Sequence, residues 1–438
     1  MSSRTSLSAE VKSVSKETAF AMNASNIRFG PGVTREAGME FADWGTKRVL
    51  VFADPKLVDL PPVKVALKSL EDESIDYTLF DKVQVEPTDA SFQAAIEAAQ
   101  VEPYEAFLAI GGGSTIDTAK AANLYSTYPA DFFDYVNPPI GKGKPVPGPV
   151  KPLIAVPTTA GTGSETTGVA IFDLKEMHAK TGIAHPRLKP TLGLVDPDNT
   201  KTLPPAVAAS AGLDVLCHAI ESYTATPYHQ RPRPERPVLR PAYQGANPTS
   251  DVWALEALRM VNGFLVRAVE DPNDDAARSA MLLAASYAGM GFGNAGVHLP
   301  HGMSYPVAGM VRDFKPDGYD VDHAIVPHGI SVILNGPAVF RFTASACPER
   351  HLFAAAALGA EVDMKDAENS GEIVAKRIIE FMKQLKIPNG LSAVGYSEDD
   401  IPALVEGTLP QHRVTKLSPR PAEADDLRAI FAEAMTYW

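Results

Sequence analysis

Ala106-Phe-Leu-Ala-Ile110 runs without a break into Gly111-Gly112-Gly113-Ser114, and Thr-Ile-Asp117-Thr-Ala-Lys-Ala-Ala-Asn-Leu124 follows at once. A short unbroken apolar run suits a strand buried on both faces. The segment after the glycines has helical composition, with Ser114 placed to cap it. Strand, glycine turn and helix in that order predict one unit of an α/β layer. Glycines let the backbone come close to a pyrophosphate, and the amides of the first helical turn point toward whatever lies there. The run is not the spaced G-x-G-x-x-G pattern, so an ordinary tight turn is the competing explanation.

The same grammar repeats on both sides. Upstream, Arg48-Val-Leu-Val-Phe-Ala-Asp54 is an apolar run that ends in an acid and Pro55. Downstream, Leu153-Ile-Ala-Val156 leads into Pro157-Thr158-Thr159-Ala-Gly-Thr162-Gly-Ser-Glu165, and Leu192-Gly-Leu-Val195 closes the series before Asp196-Pro197. Two turns rich in glycine and hydroxyls at strand C-termini predict the crevice in which α/β sheets bind nucleotides. Asp54 ends its strand where an acid can accept hydrogen bonds from a ribose and repel a 2′-phosphate; a helix-capping role explains it as well. Past Leu203 the pattern turns helical, over Asp251 to Glu270, Asp275 to Met290 and Gly371 to Leu385, with Val252, Leu255, Leu258, Val261 and Leu265 at helical spacing. The expected division is an α/β domain over 1–203 and a helical domain over 204–438. Between Pro227 and Ser250 lie six prolines with Arg231, Arg233, Arg236 and Arg240. That stretch predicts an ordered, non-helical surface excursion.

Composition narrows the function classes. A chain of 438 residues with 45% hydrophobic content can fill more than one core. Its net charge of −13 argues against nucleic acid or an anionic membrane as a main partner. Cys217 and Cys347 are the only cysteines, too few for a disulfide framework or a cysteine-rich zinc site. A reducing setting follows, cytoplasmic in expectation, with the mitochondrial matrix as the alternative in a eukaryote. There is no apolar run long enough to span a bilayer. The first 17 residues are polar and Ser-rich, lack a secretory core and carry Glu10 and Glu17, which weighs against a presequence.

The chemistry points elsewhere in the chain. Gly212-Leu-Asp214-Val-Leu-Cys-His218-Ala-Ile-Glu-Ser-Tyr223 suits a buried helix from which Asp214 and His218, four residues apart, leave one face. A carboxylate and an imidazole so placed either hydrogen-bond to each other or close on one divalent metal. Further imidazoles stand in Asn294-Ala-Gly-Val-His298-Leu-Pro-His301-Gly-Met-Ser-Tyr305 and in Pro327-His328-Gly329. Four of the ten histidines fall between His298 and His328.

Taken together, Gly111–Ser114, Pro157–Glu165, Asp214-x-x-x-His218 and the late histidines resemble the iron-containing (group III) alcohol dehydrogenases, over almost the whole chain from about Ala19. Within that family, Ser25-Asn-Ile-Arg-Phe-Gly30, Val85-Glu-Pro-Thr-Asp89, Pro139-Ile-Gly-Lys-Gly-Lys-Pro145, Arg240-Pro-Ala-Tyr-Gln-Gly245 and Gly407-Thr-Leu-Pro-Gln411 are similar to the hydroxyacid–oxoacid transhydrogenase subgroup, as is the Pro-rich insertion.

The resemblance implies a mostly parallel α/β dinucleotide-binding domain followed by an all-α metal-binding domain, the architecture shared with dehydroquinate synthase, with a cleft between them. It implies Asp214, His218, His301 and His328 as metal ligands. The family motif sets a ligand histidine six residues after the alanine of Asn-Ala, which from Ala295 gives His301. His298 then becomes a substrate-facing group or a packed helix residue. The matching nucleotide positions are Asp54, Gly111, Gly112, Gly113, Ser114, Asp117, Thr158, Thr159, Thr162 and Lys180. Where many members carry a second histidine, four residues after the ligand, this chain has Tyr305. Proton relay would then fall to Tyr305, His298 or water. NAD is the implied cofactor, with Fe2+ favoured and Zn2+ suited to the same donors.

The expected reaction passes hydride through bound NAD from 4-hydroxybutyrate to 2-oxoglutarate, giving succinate semialdehyde and 2-hydroxyglutarate. The alternative is an ordinary NAD-dependent dehydrogenase of a primary alcohol or diol. In either case the partners are small molecules and the chain is expected to form a homo-oligomer, a dimer first. Candidate cations for substrate carboxylates are the insertion arginines, Arg312 and Lys315.

Overall fold

A computed structural model describes residues 15–438 apart from 178, 320 and 322. The leader with Glu10 lies outside the described residues. The eight described strands are β1 (Ile27–Phe29), β2 (Arg48–Ala53), β3 (Asp76–Phe80), β4 (Ala106–Gly111), β5 (Leu153–Pro157), β6 (Val169–Leu174), β7 (Ala179–Ala184) and β8 (Leu192–Val195). Six of them form one sheet in the order β1-β8-β5-β4-β2-β3, with every pair parallel. The apolar runs read from the sequence are its interior. Along β2, Val49, Val51 and Ala53 pack to one face with Val63, Ala66 and Leu70 of the Pro61–Asp72 helix. Leu50 and Phe52 pack to the other with Ala95 and Ala99 of Asp89–Gln100 and with Ile116 and Ala119 of Gly113–Thr127. Helices on both faces are what a continuous apolar strand requires. Each fully buried Val, Leu or Phe contributes about 1.5–3 kcal/mol before entropy is charged against it.

β2 connects outward to β3, and the chain then returns across β2 to β4, so the winding reverses between β2 and β4. There the strand ends lie side by side, with Ala53 beside Ile110 and Gly111 beside Pro157. Asp54 and both glycine turns therefore open at one end of the sheet, the end at which such sheets bind ligands.

The helix after the glycines begins earlier than expected. It spans Gly113–Thr127 with Gly112 at its N-cap, and no side chain caps it. Ser114 lies inside the first turn, where its Oγ accepts a hydrogen bond from the Glu86 N–H at 3.3 Å. A Cβ on Gly113 would sit 2.7 Å from the Thr162 side chain, so the two glycine turns pack directly on each other. The antiparallel β6–β7 hairpin was not legible in the sequence. Ala-Lys-Thr-Gly-Ile-Ala in β7 has neither strong β-propensity nor clean alternation.

The second half is helical, as its periodicity predicts: Pro205–Thr224, Pro248–Glu270, Asp275–Ala295, Leu299–Gly309, His328–Ile333 and further helices to Ala424–Glu433. Leu258, Val261 and Leu265 are buried in its core with Leu213, Leu216 and Ile220 of the Pro205–Thr224 helix. Val252 is a correction, because it is 64% exposed on the solvent flank of its helix. The Pro-rich excursion holds two single turns of 3-10 helix, Tyr228–Gln230 and Pro237–Leu239. It is tied to the start of the described chain. Arg240 Nε pairs with Glu17 Oε2 at 2.9 Å, the Glu17 N–H donates to the Arg231 carbonyl at 2.8 Å, and Gln244 exchanges two 2.8 Å hydrogen bonds with the backbone of Ala21.

Candidate metal centre and nucleotide cleft

Asp214 and His218 stand one turn apart on the Pro205–Thr224 helix, buried as the sequence suggests. His301 comes from the first turn of Leu299–Gly309, and His328 opens His328–Ile333. Close packing brings these elements together: a Cβ on Gly329 would lie 1.9 Å from the Ser210 carbonyl, so only glycine lets that helix approach. One atom from each of the four side chains lies within 4.8 Å of all the others. Asp214 Oδ1 is 3.7 Å from His218 Nε2, 3.5 Å from His301 Nε2 and 3.7 Å from His328 Nε2. A tetrahedral ion with ligands at 2.0–2.2 Å has donor–donor edges of about 3.4 Å. The observed spacings are too long for hydrogen bonds and close to those edges.

The hydrogen-bond accounting agrees. Asp214 Oδ1 and His301 Nε2 are buried without any partner, which is costly unless a cation takes their lone pairs. Glu221, one turn beyond His218, is fully buried. Its Oε1 accepts from His301 Nδ1 at 2.6 Å and its Oε2 from the His298 backbone N–H at 2.5 Å. A carboxylate only accepts, so Nδ1 carries a proton and Nε2 is the His301 atom that would face a metal. Burial depresses the His301 pKa, but Glu221 and Asp214 outweigh it and raise the group to about 10. Burial alone would raise Asp214, yet the three imidazoles hold it well below the carboxylate range. Burial pushes His218 down to about 3, and its ring stacks on Phe292 at 4.0 Å. The two carboxylates, Asp214 and Glu221, thus favour positive charge at the cluster, carried by a proton on His301 when no ion is bound, and the four donors fit a divalent ion that would take that proton's place.

A cavity of about 130 Å³ starts at this cluster and reaches the glycine turns. It is lined by the metal-donor side chains Asp214, His218, His301 and His328 and by Gly113, Ser114, Asp117 and Thr162 of the glycine turns, with Lys180, Tyr243, Tyr305 and Arg413 also in its wall. Lys180 sits on β7, 5% exposed, and its ammonium pairs with Glu86 at 2.5 Å and Asp173 at 2.8 Å. Burial lowers its pKa, but the two acids raise it further, so it stays charged. Asp117 is held on three sides: its Oδ1 accepts from Ser164 Oγ at 2.5 Å and from Lys120 Nζ at 3.2 Å, and its Oδ2 from the Ile171 N–H at 3.0 Å. The buried Lys120 also donates to Ser164 Oγ and the Val169 carbonyl, bracing one glycine turn against the other.

Of the remaining nucleotide positions, Gly111 and Gly112 precede the uncapped helix, the Thr158 N–H donates to the Gly111 carbonyl at 3.0 Å, and Thr159 faces Gly112 across the crevice. Asp54 lies at the crevice mouth, where its Oδ1 accepts from the Lys56 N–H at 2.8 Å, a local turn that uses one of its two oxygens.

His298 is not brought to the cavity. It is fully buried, edge-on to Phe340. Thr224 Oγ1 donates its own proton to the Ile220 carbonyl, so His298 Nε2–H donates to Thr224 Oγ1 at 3.0 Å. Among the two expected relay candidates only Tyr305 lines the cavity. Its hydroxyl oxygen accepts from Arg413 Nη2 at 2.9 Å.

Sequence reasoning missed Glu221, Glu86, Tyr243 and Arg413. For Glu221 a signal existed, since it stands three residues after His218 on the same helical face. For Arg413 there was none. The cations named from sequence are used elsewhere: Arg240 pairs with Glu17, Arg312 with Asp400, Arg231 donates to the Tyr243 carbonyl, and Lys315 is exposed.

Residues 24–197 match the iron-containing alcohol dehydrogenase family, and residues 242–435 match the C-terminal part of the Fe-containing alcohol dehydrogenase family. The chain is 58% identical over 419 residues to the hydroxyacid-oxoacid transhydrogenase, mitochondrial, of Xenopus laevis, covering 95% of this chain and 90% of that protein. To the Homo sapiens protein of the same name it is 56% identical over 419 residues, with the same coverage of 95% and 90%. Among solved structures, a 1,3-propanediol oxidoreductase superposes with a TM-score of 0.83 at 26% identity, over 95% of this chain and 100% of that one.

Proposed function

Because the chain belongs to the iron-containing alcohol dehydrogenase family, and is thereby an oxidoreductase, we propose that it moves hydride between a hydroxy acid and an oxoacid through an NAD that stays bound. The reaction is 4-hydroxybutyrate plus 2-oxoglutarate to succinate semialdehyde plus 2-hydroxyglutarate. The observation that carries this reading is the four-donor cluster at one end of a cavity whose other end is the uncapped, glycine-lined helix start. The identity to curated transhydrogenases selects this reaction over simple alcohol oxidation.

Asp214, His218, His301 and His328 would hold a divalent ion, iron by the family's name, and Glu221 fixes the tautomer that makes His301 a ligand. When bound, the ion supplies Lewis acidity toward a hydroxyl or carbonyl, and the nicotinamide gives and takes the hydride. The chain's own residues do the rest. Gly111, Gly112 and Gly113 admit the pyrophosphate against helix amides that no side chain occupies. Asp117, Thr158, Thr159 and Thr162 line the path of the nucleotide, and Ser114 and Lys180 stand where the nicotinamide end enters the cavity. Small organic acids and alcohols are the substrates. No described helix is long and apolar enough to cross a membrane. The mitochondrial names of the relatives favour the matrix over the cytoplasm, and a homodimer completes the reading.

The test supplies 4-hydroxybutyrate and 2-oxoglutarate to protein freed of unbound nucleotide. 2-Hydroxyglutarate is expected to form through many turnovers with no NAD added, with ping-pong kinetics. Product that scales with added NAD, together with free NADH from simple alcohols, identifies an ordinary dehydrogenase instead.

A second expectation concerns Asp54. Its free carboxylate oxygen would accept from the adenosine ribose and repel a 2′-phosphate, so the protein is expected to bind NAD at least about tenfold more tightly than NADP, and Asp54→Gly to narrow that gap. Equal affinities in the unaltered protein remove Asp54 from the ribose.

A further inference from the structure

We infer that Arg413 and Tyr305 together form the receptor for the substrate carboxylate, and that they set the chain length this enzyme accepts. The inference rests on the reading above and deepens it. Arg413 lies in the short helix His412–Thr415, far in sequence from every other residue of the cavity. It forms the wall between the inner cavity and two larger outer ones, so anything entering from those sides passes it. Its guanidinium packs over the Tyr243 ring at 5.2 Å, and Nη2 donates to Tyr305 Oη at 2.9 Å. Nη1 is buried and has no hydrogen-bond partner, and no carboxylate of the described residues pairs with this cation. By contrast, the cavity's other cation, Lys180, is already matched by Glu86 and Asp173.

A part-buried guanidinium with a buried, idle N–H beside a reaction cavity is a carboxylate site waiting for its anion. Tyr305 makes it bidentate. Because the Tyr305 oxygen accepts from Arg413, its own O–H is left to donate, and the hydroxyl and Nη1 can reach one carboxylate together. This gives the tyrosine a binding role where a proton relay was one of the expected roles, and Arg413 positions it.

The helix supplies a ruler. Tyr305 stands four residues after His301 on Leu299–Gly309, so both face the cavity one turn apart. Four residues of helix rise about 6 Å, close to the reach from hydroxyl to carboxylate oxygen in an extended four-carbon acid. In 4-hydroxybutyrate the reacting carbon is three carbon–carbon bonds from the carboxylate. In 2-oxoglutarate the reacting carbonyl carbon is also three bonds from the distal carboxylate. One receptor at one distance from the metal donors therefore serves both half-reactions, as a shared pocket requires.

The test has a binding arm and a turnover arm, both on metal-loaded, NAD-loaded protein. Butyrate and glutarate, which carry the carboxylate without the reacting oxygen, are titrated calorimetrically into unaltered protein, Arg413→Gln and Arg413→Lys. Arg413→Gln is expected to weaken both acids about 100-fold. Arg413→Lys keeps the charge without the fork and should fall between. In turnover, the ratio of kcat/KM for 4-hydroxybutyrate to that for 1,4-butanediol is expected to fall about 100-fold in Arg413→Gln, and Tyr305→Phe should lower it about tenfold. Unaltered protein should prefer 2-oxoglutarate to oxaloacetate, whose distal carboxylate is one bond closer. If Arg413→Gln binds butyrate as tightly as the parent, or loses acid and diol alike, the receptor is disproved. If butyrate binding depends on Arg413 but transhydrogenation is absent, the receptor stands and the proposed reaction falls.

Discussion

His301→Ala is expected to purify without its divalent metal and to show no detectable hydride transfer, whereas His298→Ala keeps its metal. The two histidines stand three residues apart, yet they face different surroundings. His301 Nε2 is a buried nitrogen with no partner, aimed at Asp214 Oδ1 3.5 Å away. Removing it leaves a gap in the donor set and Glu221 Oε1 without its donor behind it. His298 lies in the core against Phe340 and Thr224. Its truncation is a cavity mutation that costs about 2–4 kcal/mol of stability but no ligand. Glu221→Gln belongs between them: it no longer holds the Nδ1 proton as a charged acceptor, and metal affinity should drop about 10–100-fold. Elemental analysis after dialysis, with denaturation midpoints alongside, separates the three. Metal lost from the His298 variant and retained by the His301 variant would reverse the assignment.

The second large effect is expected far from the metal. Lys120→Met should lower stability by about 3–5 kcal/mol and loosen nucleotide binding with it. Lys120 is 1% exposed, and its ammonium joins Asp117, Ser164 and the Val169 carbonyl beneath the two glycine turns. Burial depresses its pKa and Asp117 opposes that, so its charged form leans on that partner. Methionine fills the volume but leaves the Asp117 carboxylate without its cation and the Val169 carbonyl without its donor. Chemical denaturation reads the cost, and NAD titration reads the loss of order in the turns. A variant as stable as its parent would show that water or relaxation can replace the ammonium.

The apolar strands and their glycine turns were legible because strand burial and turn chemistry are local properties: Val49–Ala53 and Ala106–Ile110 needed no information beyond themselves. Asp214 and His218 were legible for the same reason, as a helix guarantees that residues four apart share a face. Glu221 was equally open to that argument. It was passed over because its partners, His301 Nδ1 and the His298 N–H, lie about 80 residues on. Arg413 marks the limit. Nothing in Gln411-His-Arg-Val-Thr415 distinguishes it from a solvated arginine, and only the packing of that short helix against Leu299–Gly309 puts it beside Tyr305. Of the basic residues that composition pointed to in the Pro-rich excursion, Arg240 is neutralised by Glu17 and Arg231 is directed at the Tyr243 carbonyl, while Arg233 and Arg236 are exposed. Lys180 is the reverse case, a residue of unremarkable context marked only by the family resemblance, which the unforeseen hairpin buries between two acids.

The excursion from Pro227 to Ser250 carries Tyr243 into the cavity wall, and its next residue, Gln244, is pinned by two hydrogen bonds to Ala21, while Arg240 is pinned to Glu17. The segment around residues 15–21 thus acts as a guy rope for a wall more than 200 positions away in the chain. Any event that trims or displaces that short strap, whether a protease cut, an appended tag or a partner that grips it, acts on substrate entry without altering a single side chain of the pocket.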